Sequence, residues 1–214
     1  MPEVQGEPEM IITDPMEIEK RSMEIIESGL PADIPEENKA VVKRVIHCTA
    51  DFDYAGNLAF SENAVQKALS ALQEGCDIIT DTQMALAGIN KAAASKLGCG
   101  VHCFMSDPDV AEKSKERGCT RAVVSMEKAA KLNKPLIFAI GNAPTALLRL
   151  RELIDAGKIA PKLVIGVPVG FVNVMESKNA IMETDVPYIV AKGRKGGSSI
   201  AAAIVNALMY QITR

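Results

Sequence analysis

The sequence predicts an α/β fold, built on a doubly wound sheet of five parallel strands. Helices at the N-terminal end of the chain precede these strands. Two observations lead to this prediction. Short runs rich in Ile, Val and Leu alternate with helical stretches from residue 77 onward, a pattern typical of right-handed βαβ units. These runs are apolar on successive residues, as expected of strands that helices cover on both faces of a parallel sheet.

The N-terminal part of the chain predicts helices only. Asp14 suits the N-cap of a first helix, with Pro15 at the first position and Glu17 as the capping-box partner. We expect this helix to run to about Gly29. One of its faces would carry Ile18, Ser22, Ile25 and Ile26.

Two further helices are expected before the first strand. After a pair of prolines that break the chain, one helix runs from about Glu36 to near His47. Its apolar residues at helical spacing are Val41, Val42, Val45 and Ile46. A third helix, capped by Ser61, is expected to run to Gly75, a residue type that commonly ends helices.

The strands follow this helical part. The five apolar runs are residues 77–80, 100–104, 135–140, 162–167 and 187–191. Each is expected to lead through a polar or Gly-rich loop into a helix, and the last helix is the Ala-rich segment 198–212. Five such strands fit a flavodoxin-like sheet. No repeat or low-complexity linker divides the chain, so we expect a single domain over residues 1–214.

Composition argues against several classes of protein. The net charge is -3, only 4% of residues are aromatic, and Trp is absent, which disfavours nucleic-acid binding. No stretch reaches the roughly 18 apolar residues of a membrane-spanning helix. The start of the chain lacks the charged and apolar regions of a signal peptide. We therefore expect a cytoplasmic protein that binds neither membrane nor nucleic acid.

The cysteines are odd in number and include no CxxC pair, as expected of small buried thiols in a reducing compartment. They are Cys48, Cys76, Cys99, Cys103 and Cys119. A metal site at Cys99, His102 and Cys103 is disfavoured, because zinc sites usually show two spaced ligand pairs. In a strand, moreover, Cys103 would face away from His102. The sequence thus predicts no metal site.

A doubly wound sheet binds ligands at the carboxyl ends of its strands, so five loops are candidates for the functional site. They are Thr80-Asp81-Thr82, Ser106-Asp107-Pro108, Gly141-Asn142-Ala143-Pro144-Thr145, Pro168-Val169-Gly170-Phe171 and the segment from Lys192 to Ser198.

The last of these loops carries the strongest signal. Lys192, Arg194 and Lys195 lie among three glycines, directly before Ser198 opens a helix. Glycines let the backbone approach a ligand, the helix start offers free N–H groups, and the cations favour anions. The loop is neither a Walker A loop nor a G-x-G-x-x-G motif. Anion binding is the functional interpretation, and a solvated basic turn is the alternative.

The other candidates are more ambiguous. Asn142 and its neighbouring N–H groups can bind a carboxylate or carbonyl, or simply form a turn. Arg121, at a helix start, can bind a carboxylate or pair with a local acid. Lys178 lies in the polar cluster Glu176-Ser177-Lys178, to which the same ambiguity applies.

His47 lies near a predicted helix end, where the helix dipole favours a protonated ring. Arg44, one turn earlier, opposes that protonation unless an anionic ligand shields it. On these residues alone, a catalytic and a structural role for His47 both stay open.

Taken in order, the motifs resemble one family. They are Asp14-Pro15…Ser22, Arg44-Val45-Ile46-His47, Asp81-Thr82-Gln83-Met84, Gly141-Asn142-Ala143-Pro144-Thr145-Ala146, Pro168-Val169-Gly170-Phe171-Val172…Glu176-Ser177-Lys178 and Gly193-Arg194-Lys195-Gly196-Gly197-Ser198. Each motif is weak by itself, but the ordered set closely resembles the precorrin-8X methylmutases of cobalamin biosynthesis, from about residue 11 to the end.

The resemblance implies a flavodoxin-like homodimer that moves a methyl group from C-11 to C-12 of precorrin-8X, or of its cobalt form. It implies His47 as the catalytic acid/base and no cofactor, with any cobalt carried by the substrate. The substrate-binding residues that we predict with it are Ser22, Arg44, Thr82, Arg121, Asn142, Lys178, Arg194 and Ser198. The family often has Gly-Asp shortly after this histidine, where the chain reads Cys48-Thr49-Ala50-Asp51.

Two other functions compete with this one. A non-catalytic tetrapyrrole carrier would use the same loops but tolerate loss of His47. An α/β enzyme for small phosphorylated ligands would use the Gly-rich loops. Since His47 precedes the βα series, we also consider that it reaches the ligand edge of the sheet across a dimer interface.

Overall fold

The computed structural model describes residues 11–214, so the first ten residues of the predicted domain lie outside the described residues. The strands are β1 (Leu58–Phe60), β2 (Asp77–Thr80), β3 (Val101–His102), β4 (Leu136–Ile140), β5 (Leu163–Gly166) and β6 (Tyr188–Ala191). The first helices are α1 (Pro15–Gly29), α2 (Glu36–Thr49), α3 (Tyr54–Asn57), α4 (Ala64–Gln73), α5 (Gln83–Gly88) and α6 (Lys91–Lys96). The others are α7 (Pro108–Arg117), α8 (Arg121–Ala129), α9 (Pro144–Asp155), α10 (Val174–Met182) and α11 (Ser198–Thr213).

The strands form one mixed sheet in the order β1-β6-β5-β4-β2-β3. Strands β2 to β6 are parallel to their neighbours, while β1 pairs antiparallel with β6. The α/β class is therefore confirmed, but the prediction of a sheet with only five strands, all parallel, was wrong because it missed β1. That strand is only three residues long and has no polar–apolar alternation to reveal it.

The same region corrects the prediction for the third helix. The Ser61 hydroxyl accepts the backbone N–H of Tyr188 at 2.9 Å and thereby ties β1 to β6. Helix α4 begins only at Ala64, after Asn63 adopts a left-handed backbone with φ of 56°. Ser61 is thus part of the sheet edge rather than a side-chain cap.

Other predicted boundaries agree better with the structure. Strand β2 has the predicted bounds, and the Asp14 carboxylate caps α1 by accepting the N–H of Glu17 at 2.9 Å. Helix α2 continues past His47 to Thr49. Strand β3 is limited to two residues, and two helices rather than one follow both β2 and β3.

The face of α1 that was expected to carry Ile18, Ser22, Ile25 and Ile26 is only partly buried. Ile26 is buried, but 44% of Ile18 and 53% of Ile25 is exposed.

Two apolar layers cover the sheet, one on each face. Ile137 and Ala139 of β4 join the core that contains α2, α4 and α11, whereas Phe138 and Ile140 join the core of α8, α9 and α10. This alternation follows from the period of two in a strand. Because both faces are covered, ligands reach the parallel strands at their ends. None of the helices in residues 11–214 has the length and apolar character needed to cross a bilayer.

Candidate active site

Asp81 joins the carboxyl ends of the neighbouring strands β2 and β4. Its carboxylate accepts the backbone N–H groups of Gly141 at 2.8 Å, Asn142 at 2.8 Å and Ala143 at 2.6 Å. Burial raises the pKa of the Asp81 carboxyl, and the three N–H donors oppose that rise. Asp81 therefore fixes the loop after β4, while the side chain of Asn142 is left exposed.

A second link connects the loop after β2 with the start of α11. The hydroxyls of Thr82 and Ser198 lie 2.8 Å apart, and the Thr82 hydroxyl also accepts the N–H of Ala85 as the N-cap of α5. At Gly141, an added Cβ would lie 2.6 Å from the Cα of Ser198. Only glycine permits this approach of the two backbones. Two predicted site residues, Thr82 and Ser198, therefore lie beside the Asn142 loop.

The loop from Lys192 to Ser198 is supported from beneath by Lys178. Only 1% of Lys178 is exposed, and its ammonium donates to the carbonyls of Gly193 and Lys195, each at 2.8 Å. Burial lowers the pKa of Lys178 to about 8. Lys178 was predicted to contact substrate, which stays a prediction; in the structure its buried ammonium is bonded to loop carbonyls and supports the loop.

The same loop packs tightly against the segment that follows β5. The Gly197 N–H donates to the carbonyl of Val167 at 2.8 Å. An added Cβ on Gly196 would lie 2.2 Å from that carbonyl oxygen, so the glycine is required by contact. On its outer side, the Lys195 ammonium pairs with Asp51 and Asp53, both at 2.6 Å. The loop from Lys192 to Ser198 is thus anchored by Lys178, by the Val167 carbonyl and by the two acids.

Cations and exposed apolar side chains lie next to each other at this edge. Lys192 and Arg194 are exposed, and neither pairs with an acid among residues 11–214. The Arg194 guanidinium lies 5.9 Å from the centre of the Phe171 ring, 85% of which is exposed. Other exposed apolar residues lie after β2 and after β5. They are Met84, Val169, Val172 and Met175.

The end of α2 lies at the same edge. His47 is exposed in the last turn of α2, and the sulfur of the next residue, Cys48, lies 3.8 Å from the carbonyl oxygen of Ser199 in the first turn of α11. Within one chain, the end of the helix that carries His47 is therefore already beside the loop from Lys192 to Ser198. The hypothesis that the His47 imidazole reaches the ligand edge across a dimer interface stays a prediction.

Ser22 and Arg44 lie on the helix pair α1–α2. The Arg44 guanidinium pairs with Glu19 at 3.0 Å and lies 5.6 Å from the centre of the Tyr210 ring. Glu19 therefore provides the anionic partner that the sequence reasoning assigned to a ligand. The Ser22 hydroxyl donates to the carbonyl of Ile18 at 2.7 Å. Both predicted substrate residues thus already have partners within the protein.

Arg121 begins α8 and is exposed. Its neighbour Thr120 caps the helix, and the Thr120 hydroxyl lies 2.9 Å from that of Thr145 at the start of α9. Arg121 forms no ion pair with another residue of the described part of the chain. The structure thus brings Arg121 next to the Asn142 loop with its charge available.

Comparison with known proteins identifies the family. A family model described as precorrin-8X methylmutase matches residues 17–211. The chain belongs to the precorrin-8X methylmutase family. A cobalt-precorrin-8 methylmutase of Leptospira interrogans is 45% identical over 201 residues, covering 90% of this chain and 91% of the relative. A cobalt-precorrin-8 methylmutase of Salmonella typhimurium is 43% identical, covering 94% of this chain and 97% of the relative.

Two further relatives extend the comparison. A precorrin-8X methylmutase of Pseudomonas aeruginosa is 40% identical, covering 85% of this chain and 86% of the relative. The crystal structure of the precorrin-8X methylmutase of Thermus thermophilus superposes with a TM-score of 0.83 at 40% identity, covering 90% of this chain and 96% of that chain. As a member of the methylmutase family, the chain is an isomerase of cobalamin biosynthesis.

Sequence reasoning missed two features of this methylmutase-family site. Asp81 was treated as an ordinary loop residue, although an acid directly after a buried strand is a recognisable signal. Asp51 and Asp53 were not associated with Lys195, and no local pattern links residues more than 140 positions apart.

His102, one of the residues considered for a metal site, pairs with Asp77 at 3.0 Å. Residues 11–214 contain no group of three side chains suited to hold a metal.

Proposed function

We propose that the chain moves a methyl group from C-11 to C-12 of precorrin-8X or cobalt-precorrin-8, giving hydrogenobyrinate or cobyrinate. One observation carries the proposal: Cys48 contacts Ser199, the adjacent Ser198 contacts Thr82, and the adjacent Asp81 binds the Asn142 loop, which links the end of α2 to that loop. The end of the helix that carries His47, free cations and an apolar surface consequently share one edge of the sheet. The relatives include methylmutases named for the metal-free and for the cobalt-containing substrate.

The chemistry explains why one imidazole is enough. A suprafacial 1,5-shift of a methyl group requires no nucleophile from the protein, but protonation of the ring C nitrogen favours migration. We propose His47 as the donor of that proton. General acid catalysis of this kind typically contributes about 10²–10⁴-fold in rate, and the remaining acceleration comes from holding the macrocycle in the reactive shape.

Substrate binding follows from the charge distribution. The substrate is an apolar ring with several carboxylates, whereas the chain has a net charge of -3. Binding therefore requires a local group of cations and N–H donors, which Arg194, Lys192, Arg121 and the start of α11 provide. Phe171 offers an exposed apolar face for the ring. Asn142, Thr82 and Ser198 complete the proposed contact set, and Ser22 and Arg44 would contribute only by exchanging their present partners.

The proposal also covers the fold type, the domain, the assembly, the location and the cofactor. The five parallel strands, in the order β3-β2-β4-β5-β6, are a flavodoxin-like core to which β1 is added. One domain spans residues 1–214 and works as a homodimer in the cytoplasm, where its five free cysteines stay reduced. The protein contributes no cofactor or metal, and any cobalt arrives with the substrate.

Turnover of purified cobalt-precorrin-8 or precorrin-8X tests the proposal. We expect the absorption spectrum of the bound macrocycle to change as the methyl group moves, and the product to be the C-12 isomer. His47→Ala should lower kcat by at least about 100-fold while the macrocycle still binds. Binding without turnover by the wild-type protein, unaffected by His47→Ala, would instead indicate a tetrapyrrole carrier.

A further inference from the structure

We propose that Lys195 is a positioning residue, which fixes the loop from Lys192 to Ser198 against the end of the helix that carries His47. The inference rests on the proposed function for its catalytic consequence, but its structural part can be tested separately. Lys195 would then differ in role from Arg194, although the two cations are adjacent in sequence and both lie in the proposed substrate loop.

The geometry around Lys195 carries this inference. Its ammonium lies 2.6 Å from an oxygen of Asp51 and 2.6 Å from an oxygen of Asp53. These acids follow His47 by four and six residues, in the turn directly after α2. The three side chains therefore connect the turn after α2 with the loop after β6. We call Lys195, Asp51 and Asp53 the latch.

The acidic half of the latch is already ordered by its own backbone. Ala50 ends α2 in a left-handed conformation with φ of 53°, which reverses the chain. The Asp51 N–H donates to the Thr49 hydroxyl at 3.3 Å, and the Asp51 carboxylate accepts the Asp53 N–H at 3.0 Å. The backbone thus orders the turn and orients the Asp51 carboxylate, while the Asp53 carboxylate is held by Lys195 itself.

The loop half of the latch is anchored independently. Lys178 donates to the carbonyls of Gly193 and Lys195 from beneath. The backbone N–H of Lys192 donates to the carbonyl of Asn57 at 2.8 Å, just after the latch turn. Each half thus has anchors of its own; the Lys192–Asn57 bond joins the two segments at one place, and the Lys195 ion pairs join them at a second.

Charge separates Lys195 from its neighbour. Two carboxylates surround one ammonium, so the latch has a net charge of -1 and repels a substrate carboxylate. The same acids raise the pKa of Lys195. Arg194 has no acidic partner among the described residues and faces Phe171. The structure thus leaves Arg194 to bind the anion and Lys195 to set the distance between the proton donor and the bound ring.

The matched pair Lys195→Met and Arg194→Met tests this division, since each removes one positive charge from the same loop. Misplacement of about 1 Å between reacting groups can cost about 100-fold in rate. We expect Lys195→Met to lower kcat about 10- to 100-fold with KM within about threefold of the wild type. Arg194→Met should instead raise KM about 10- to 100-fold and leave kcat within about threefold of the wild type. If Lys195→Met raises KM and leaves kcat intact, Lys195 binds substrate and the inference is wrong.

Further variants separate positioning from general destabilisation. Lys195→Arg should retain at least about a third of kcat, because a guanidinium can bridge the same two acids. Asp51→Asn should lower kcat like Lys195→Met, and the double variant should be no worse than either alone, since both remove one interaction. Lys39→Met, which breaks a surface pair with Glu36 elsewhere on α2, should change neither constant. Additive losses in the double variant would contradict the latch.

A readout that needs no substrate keeps this test distinct from that of the proposed function. Hydrogen exchange of residues 48–57 and 192–197 should become at least about tenfold faster in Lys195→Met, and stay at the wild-type rate in Arg194→Met. If the wild-type protein binds precorrin-8X without turnover, the proposed function fails while this exchange result still stands. Equal exchange in the wild type and Lys195→Met would reject the latch whatever the activity.

Discussion

The Asp81 carboxylate accepts the N–H of Asn142 at 2.8 Å and thereby joins the ends of two neighbouring parallel strands. Strands β2 and β4 are also the pair at which the order of the sheet reverses, because β3 lies beyond β2 while β5 lies beyond β4. In doubly wound folds this position is the usual ligand site, since the loops on its two sides diverge. Here a buried acid holds the two loops together.

Asp81→Asn should therefore destabilise the fold. The amide nitrogen of Asn cannot accept a hydrogen bond, so at least one of the three N–H groups loses its partner. The expected loss is about 2–3 kcal/mol in the free energy of unfolding, measured by urea titration. Asp185→Asn is the control, since Asp185 is exposed, and it should cost less than about 0.5 kcal/mol. Equal losses would argue against the structural role of Asp81.

Lys178 makes the stability depend on pH in the alkaline range. Burial lowers its pKa from 10.5 to about 8 in the folded chain, so above pH 8 the unfolded chain binds more protons than the folded one. Relative to Lys178→Met, which lacks this titration, the wild type should gain up to about 3 kcal/mol between pH 8 and 10.5. Urea unfolding at pH 7, 8, 9 and 10 measures the difference, and a difference that is constant with pH would contradict it.

Ala50→Gly should stabilise the protein. The left-handed conformation costs a non-glycine residue about 1–2 kcal/mol, and the greater freedom of glycine in the unfolded chain offsets about 0.4–1 kcal/mol of the gain. A net increase of about 0.5–1 kcal/mol in the free energy of unfolding follows. Ala87→Gly, on the exposed side of α5, is the matched control and should be destabilising. Destabilisation by both changes would show that the φ of 53° at Ala50 costs nothing.

Phe171→Ala should weaken substrate binding without affecting the fold. Because 85% of Phe171 is exposed, the free energy of unfolding should change by less than about 0.5 kcal/mol. If its ring packs against the macrocycle, KM or the dissociation constant should rise about tenfold, the size expected for a buried aromatic contact. Met16→Ala, at the exposed start of α1, serves as the control. Unchanged macrocycle affinity in Phe171→Ala would remove that residue from the binding surface.

Local patterns predicted the elements whose signals are local. Strand β2 was assigned correctly because a short run around two isoleucines, residues 77–80, lies between a helix-ending glycine and a polar loop. Helix α1 was predicted from its cap and first-turn proline. Strand β1 was missed because three residues carry too little pattern, and its identity depends on pairing with a strand about 130 positions later.

The site shows the same division. The loop from Lys192 to Ser198 was identified from its composition, but which of its cations is free was not predictable, because Asp51 and Asp53 are distant in sequence. Lys178 was assigned to substrate with the family resemblance, and its burial against the carbonyls of Gly193 and Lys195 has no local sequence signal. Folding, rather than sequence spacing, decides the partner of each charged group.

The two outermost strands bear on how copies of the chain can associate. One border of the sheet is β1, with three residues, and the other is β3, with two. Borders this short offer few unpaired backbone groups to an incoming strand, a common protection against unwanted association. Two copies that associate would therefore meet through helices and loops, and not through a shared ladder of strands.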